Sequence, residues 1–110
     1  MIRLTVLYNL QPYVDEEEFL HWRLTEHQQA NAAIPGVIRT DFGRIDEAWP
    51  PGARPPYRFM TTADWPDMES FKAGFYDPEV QAGLQKNLEL LSDPVFLISE
   101  ILTSDSKETD

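Results

Sequence analysis

Ile2-Arg3-Leu4-Thr5-Val6-Leu7-Tyr8, followed after a short turn by Asp15-Glu16-Glu17-Glu18-Phe19-Leu20, reads as a strand that hands over to a helix. Ile2, Leu4, Val6 and Tyr8 fall on one face of the first piece, and Arg3, Thr5 and Leu7 on the other, which is the two-residue period of a β-strand. Asn9 to Val14, with Pro12, forms the turn. Asp15 stands where an N-cap belongs, with Glu18 three residues on in the capping-box position. The acids at 16–18 suit the positive end of a helix dipole.

The helix is predicted to run to about Ala33. At about 100° per residue, Phe19, Leu20, Leu24, Ala30 and Ile34 share an apolar arc about 140° wide. Arg23, His27 and Asn31 lie inside that arc, and His21 lies opposite. Pro35-Gly36 ends the segment, and Val37 to Ile45 reads as a second strand. Four of the nine prolines crowd the stretch Asp46 to Pro56, which excludes it from any helix or sheet interior. Trp49 in that loop reads either as a side chain packed across a dimer or as a cover for a pocket mouth. Tyr57 to Trp65 is a third strand, with Tyr57, Phe59, Thr61, Ala63 and Trp65 on one side. Met68, Phe71 and Phe75 recur at helical spacing after Pro66-Asp67. Asp77-Pro78 restarts a helix that Val80, Leu84, Leu88 and Leu91 carry to about Leu91. Ser92-Asp93-Pro94 is expected to break it, and Val95 to Leu102 is a fourth strand.

The order β-α-β-β-α-β describes an α+β, ferredoxin-like sandwich with a four-stranded antiparallel sheet. Residues 1–102 form one domain, and 103–110 are expected to be a disordered acidic tail. Two helices cover one face of such a sheet, yet strands one and four carry apolar residues on both faces. A second copy packed sheet to sheet about a two-fold axis covers the other face, so a homodimer is expected.

Composition narrows the function. The 110 residues are 42% hydrophobic, enough for one domain with a core and too apolar for a disordered chain. Nineteen acids against nine basic residues, for a net charge of −10, leave no cationic cluster for nucleic acid or an anionic membrane. With no cysteine, disulfides and thiolate chemistry are excluded. No stretch reads as a membrane span or signal peptide, so a cytoplasmic protein is the default expectation.

Phosphate loops and serine-nucleophile elbows are missing from the sequence. His21 and His27 point to opposite sides of one helix, so no metal site is expected. No cofactor is expected either, since a haem reading rests on a single axial histidine. The polar residues of the apolar arc remain. Burying Arg23, His27 and Asn31 there is costly without partners or a cavity. His27 reads either as a core histidine bonded to a carbonyl or carboxylate, or as a pocket-lining acid, base or donor. Arg23 reads as a salt bridge to a sheet carboxylate such as Asp41 or Glu100, or as a ligand contact. Asn31 reads as a cap or bridge near the helix end, or as part of the pocket. Tyr8 is an aromatic plug that can also place its hydroxyl in the cavity, and Trp22 lies at the arc's margin, for packing or for ligand stacking.

Phe19, Trp22 and His27 on the first helix, with Pro35-Gly36 turning into strand two, resemble the EthD family, named for a small protein associated with ethyl tert-butyl ether degradation. The opening strand ending at Tyr8 and the aromatic strand Tyr57 to Trp65 extend the likeness over nearly the whole domain. The resemblance implies a dimeric α+β barrel. Such barrels include cofactor-independent monooxygenases, cyclases and isomerases as well as accessory proteins, so the fold alone does not name a reaction. The expected function is binding of an apolar or aromatic metabolite in a cleft beside His27. His27 and Tyr8 are the catalytic candidates, and Arg23, Asn31 and Trp22 the ligand-binding ones. The imidazole is expected to titrate near the operating pH, which suits cofactor-independent oxidation, cyclisation or isomerisation. The alternative is a non-catalytic ligand-binding or accessory protein.

Overall fold

Strand β1, Ile2–Leu10, occupies an interior position in the sheet because both of its edges find antiparallel partners. A computed structural model, which describes residues 1–107, places it between β3, Phe59–Trp65, and β4, Leu91–Glu100, with β2, Arg39–Arg44, outside β3. The sheet order is β2-β3-β1-β4 and every pairing is antiparallel, the ferredoxin-like arrangement. Ile2, Leu4, Val6 and Tyr8 are buried in strict alternation, as their period requires. They join Phe59, Ala63 and Trp65 of β3 and Phe19 and Phe71 of the helices in one core.

The first helical arm is α1, Glu16–Trp22, then a π-helical turn, Arg23–His27, then α2, Gln28–Ala32. Asp15 caps it by accepting the Glu18 N–H at 3.0 Å. The wide turn departs from the regular helix expected there. Thr25 donates its hydroxyl to the His21 carbonyl at 2.7 Å, a back-bond that competes with the helix ladder and bends helices. Leu24 is 60% exposed rather than part of the apolar arc, because Arg23 takes the inward position beside it.

Other boundaries moved for local reasons. Ile38 donates to the Asp64 carbonyl while Val37 closes a turn onto Ile34, so β2 begins at Arg39. The Arg58 N–H is taken by the Asn9 side chain at 2.8 Å, so β3 begins at Phe59 rather than Tyr57. Helix α3 spans Met68–Phe75, and α4, capped by Asp77 with Pro78 in its first turn, spans Pro78–Asn87 before a 3-10 turn at Leu88–Leu90. Ser92-Asp93-Pro94 follows the end of the helical run at Leu90, but it does not precede the fourth strand, which begins at Leu91. It lies inside β4 as an irregularity where the register shifts between Leu7 and Asn9, and Asp93 has φ of 52°. An edge strand tolerates this, since the missing proline N–H faces no partner. Residues 103–107 form no helix or strand and are exposed, and 108–110 lie outside the described residues.

Trp65 anchors the turn after α2. It is fully buried, and its indole N–H donates to the Pro35 carbonyl at 3.0 Å. Gly36, with φ of 82°, completes that turn. The loop from Asp46 to Pro56 leaves Trp49 87% exposed. Among the described residues, no helix is long and apolar enough to cross a membrane.

Pairing directly across the sheet sorts its two faces. Leu4, Val6, Tyr8, Thr61, Ala63 and Phe96 share the helix-covered face. The other face carries an apolar row, Met60, Leu7 and Val95, with Leu97 beside it. Further along lie the ion pairs Arg3–Asp64 at 2.8 Å and Arg39–Asp41 at 2.9 Å.

Candidate functional site

Between the helices and the sheet lies a cavity of about 360 Å³. Tyr8, Trp22, Arg23, His27 and Asn31 all line it, together with apolar side chains of β1, β3, β4 and α4. The wide turn carries both Arg23 and His27, and π turns recur at functional sites because they redirect side chains.

His27 stacks on Trp22, with ring centroids 4.5 Å apart and planes 23° from parallel. Among the described residues its imidazole makes no hydrogen bond to a carbonyl or carboxylate. No side-chain nitrogen or oxygen there is both sealed and unpartnered, so the ring nitrogens keep some accessible surface, and the residue lines the cavity. Burial, and secondly the positive charge of Arg23, lower its pKa from 6.5 to about 4. That is lower than the near-operating value expected from the sequence. With its pKa at about 4 the ring is neutral at pH 7, a form that can both donate and accept a hydrogen bond.

Arg23 is 1% exposed. Its Nη1 donates to Gln28 Oε1 at 2.7 Å and its Nη2 to Thr61 Oγ1 at 3.3 Å, while the guanidinium carbon lies 4.2 Å from the centre of the Phe42 ring. The expected salt bridge to Asp41 or Glu100 is not formed. Asp41 faces the opposite side of the sheet, where it pairs with Arg39, and Glu100 sits exposed at the end of β4. Burial lowers the Arg23 pKa, and the neighbouring Tyr8 oxygen opposes that shift.

Tyr8 is buried against Phe19 and Phe59, with its hydroxyl 3.5 Å from Thr61 Oγ1. The hydroxyls of Tyr8 and Thr61 thus continue the polar line from Gln28 and Arg23. Asn31 lines the cavity further along the arm, and its carbonyl accepts the Ile34 N–H at 3.2 Å. Trp49 is not part of the cavity wall.

Sequence reasoning missed Thr61, Gln28 and Phe42 as the groups that hold Arg23. Thr61 had a signal: it is the polar residue on the inward side of β3 between Phe59 and Trp65. Among the described residues no group of three acids or histidines is placed to hold a metal ion. The arrangement can enclose an apolar body and meet its polar atoms with a neutral imidazole, a phenol and a guanidinium.

A four-stranded ferredoxin-like sheet with a cavity under its helices defines a class of small α+β proteins. Within that class the chain belongs to the REDY-like HapK family, whose model matches residues 2–102. It is similar to the crystal structure of an EthD family protein from Bacillus halodurans, with 24% identity, a TM-score of 0.72, and coverage of 93% of this chain and 99% of that one. A dimeric ferredoxin-like protein of unknown function from Thermobifida fusca is 25% identical, with a TM-score of 0.69 over 91% of this chain and 90% of that one. SnoaB, a cofactor-independent oxygenase from Streptomyces nogalater, shares the fold at 13% identity and a TM-score of 0.69, over 94% of each chain. No curated protein matches the chain significantly.

Proposed function

We propose that the chain is a small-molecule-binding protein whose helix–sheet cavity holds an apolar or aromatic molecule. The observation that carries this reading is a cavity of about 360 Å³ with apolar walls into which His27, Arg23 and Tyr8 converge. Trp22 backs the imidazole, and Asn31 is a further polar contact on the same wall. A neutral ring beside a fixed cation orients a ligand rather than protonating it.

Cofactor-independent turnover, by oxidation, cyclisation or isomerisation, is the second reading. It is supported by the line of exchangeable protons from Arg23 through Thr61 to Tyr8, and by the fold shared with SnoaB. Under that reading His27 and Tyr8 contact the reacting atoms. Binding without product selects the accessory role instead.

Gly83 provides the test. It lines the cavity, and a Cβ placed on it meets nothing within 4 Å. Gly83→Phe therefore places a large ring at the cavity's edge without a clash at its Cβ, while removing a helix-weakening glycine. Titration with 2-naphthylmethanol, followed by tryptophan fluorescence, is expected to saturate in the wild type and to weaken at least tenfold in Gly83→Phe, with thermal stability kept. Equal binding by both proteins contradicts the reading.

A homodimer joined through the outer sheet face completes the proposal. Met60, Leu7, Val95 and Leu97 supply an apolar patch there, and the Thermobifida fusca relative is dimeric. Sedimentation is expected to give a dimer at micromolar concentration and a monomer for Leu97→Asp. A wild-type monomer removes this part of the proposal.

A further inference from the structure

Arg23 is a buried cation that pairs with no carboxylate among the described residues. The ion pairs among the described residues join Arg3 to Asp64, Arg39 to Asp41 and Arg58 to Glu16, and Arg23 takes part in none of them. The chain has nineteen acids for nine basic residues, so carboxylates are abundant. The acid on the cavity wall, Glu79, is exposed at the start of α4 and makes no ion pair with Arg23. In place of a carboxylate the guanidinium has two neutral acceptors, Gln28 and Thr61, and the face of Phe42. These offset part of the cost of removing a charge from water, and leave further N–H groups of the planar fork unused.

We propose that the cavity's ligand carries an anionic oxygen on its apolar body, as an aromatic carboxylate or an ionised phenol does, and that Arg23 holds that oxygen. This rests on the ligand-binding reading above and names the chemical class of its ligand. The guanidinium fork matches two oxygens of a carboxylate, or one phenolate oxygen shared between its N–H groups. The Thr61 and Tyr8 hydroxyls stand beside it to donate to the same anion, and the stacked Trp22–His27 pair offers a flat wall to an aromatic ring. Apolar walls around a single cation select against neutral molecules of the same shape, because only an anion satisfies the fork.

Matched probes test this at pH 8.5. They are 2-naphthoate against 2-naphthylmethanol, and 4-nitrophenolate against 4-nitrobenzyl alcohol, titrated by calorimetry. The wild type is expected to hold at least one anion about 10- to 100-fold more tightly than its neutral partner. The more tightly held anion tells the carboxylate from the phenolate. In Arg23→Met that preference is expected to vanish while affinity for the neutral probe persists. Should Arg23→Met fail to fold, Arg23→Gln, which keeps hydrogen-bonding reach without charge, is expected to behave the same way. Equal affinity for acids and alcohols in the wild type overturns the inference and leaves the ligand cavity standing. A preference that survives the loss of Arg23 overturns it as well. If no probe of either kind binds, the ligand-binding reading fails and takes this inference with it.

Discussion

Gly74→Ala is expected to lower stability by about 2–6 kcal/mol, a loss large enough to unfold many domains of this size. The added Cβ would collide with the Pro35 carbonyl oxygen and lie 2.9 Å from the Trp65 indole nitrogen. Those two atoms form the 3.0 Å hydrogen bond that fastens the turn after α2 to β3. The substitution therefore combines overpacking, of about 1–3 kcal/mol, with the loss of a buried indole's partner, of about another 1–3 kcal/mol. Gly83→Ala is the control. Its Cβ enters open space on α4 and removes the flexibility of a helical glycine, so it is expected to stabilise by about 0.5–1 kcal/mol. Urea unfolding of both variants checks the pair. A loss below about 1 kcal/mol at Gly74 contradicts the packing described around Trp65.

Acid is expected to destabilise the protein in a window that belongs to His27. Its pKa is about 4 in the folded state and 6.5 in the unfolded chain. Below pH 6.5 the unfolded chain takes a proton that the folded state refuses. The stability from this group is thus fully present above pH 6.5, and is lost as pH falls towards 4. The shift corresponds to roughly 2–3 kcal/mol once the partial exposure of the ring is allowed for. Glu16, held below its ordinary range by Arg58, and Asp67, held down by Ser70, act in the same direction but only below the normal carboxylate range. The slope between pH 6.5 and 4.5 is therefore specific. It is expected to flatten in His27→Gln, as measured by denaturant midpoints across that interval. An identical slope in the variant contradicts the assignment.

The legible parts of this fold are those decided within a few residues. The alternation of Ile2 to Tyr8 marks the inward face of β1, and Asp15 and Asp77-Pro78 mark helix starts, because side-chain periodicity and capping are local physics. That Arg23, His27 and Asn31 of the helical arm and Tyr8 of β1 line one cavity follows largely from the same helical and strand phases, although the helical phase misplaces Leu24. What escaped depends on contacts distant in sequence. Asp93-Pro94 reads as a break unless β4 is known to be an edge strand opposite β1. Strand β3 starts two residues late because Asn9, far away in the chain, claims the Arg58 N–H. The wide turn at Arg23–His27 carries only Thr25 as a local hint. The neutral surroundings of Arg23 require knowing that Asp41 points to the other face of the sheet.

We propose that the cavity between helices and sheet keeps its polar groups out of bulk water and available to a ligand. Proton titration of His27 by heteronuclear NMR of the ligand-free protein, with its signals assigned by comparison with His27→Gln, tests this most directly. A midpoint near 4 is expected, since the ring is buried beside Arg23. A midpoint near 6.5 would place the imidazole in water and contradict it.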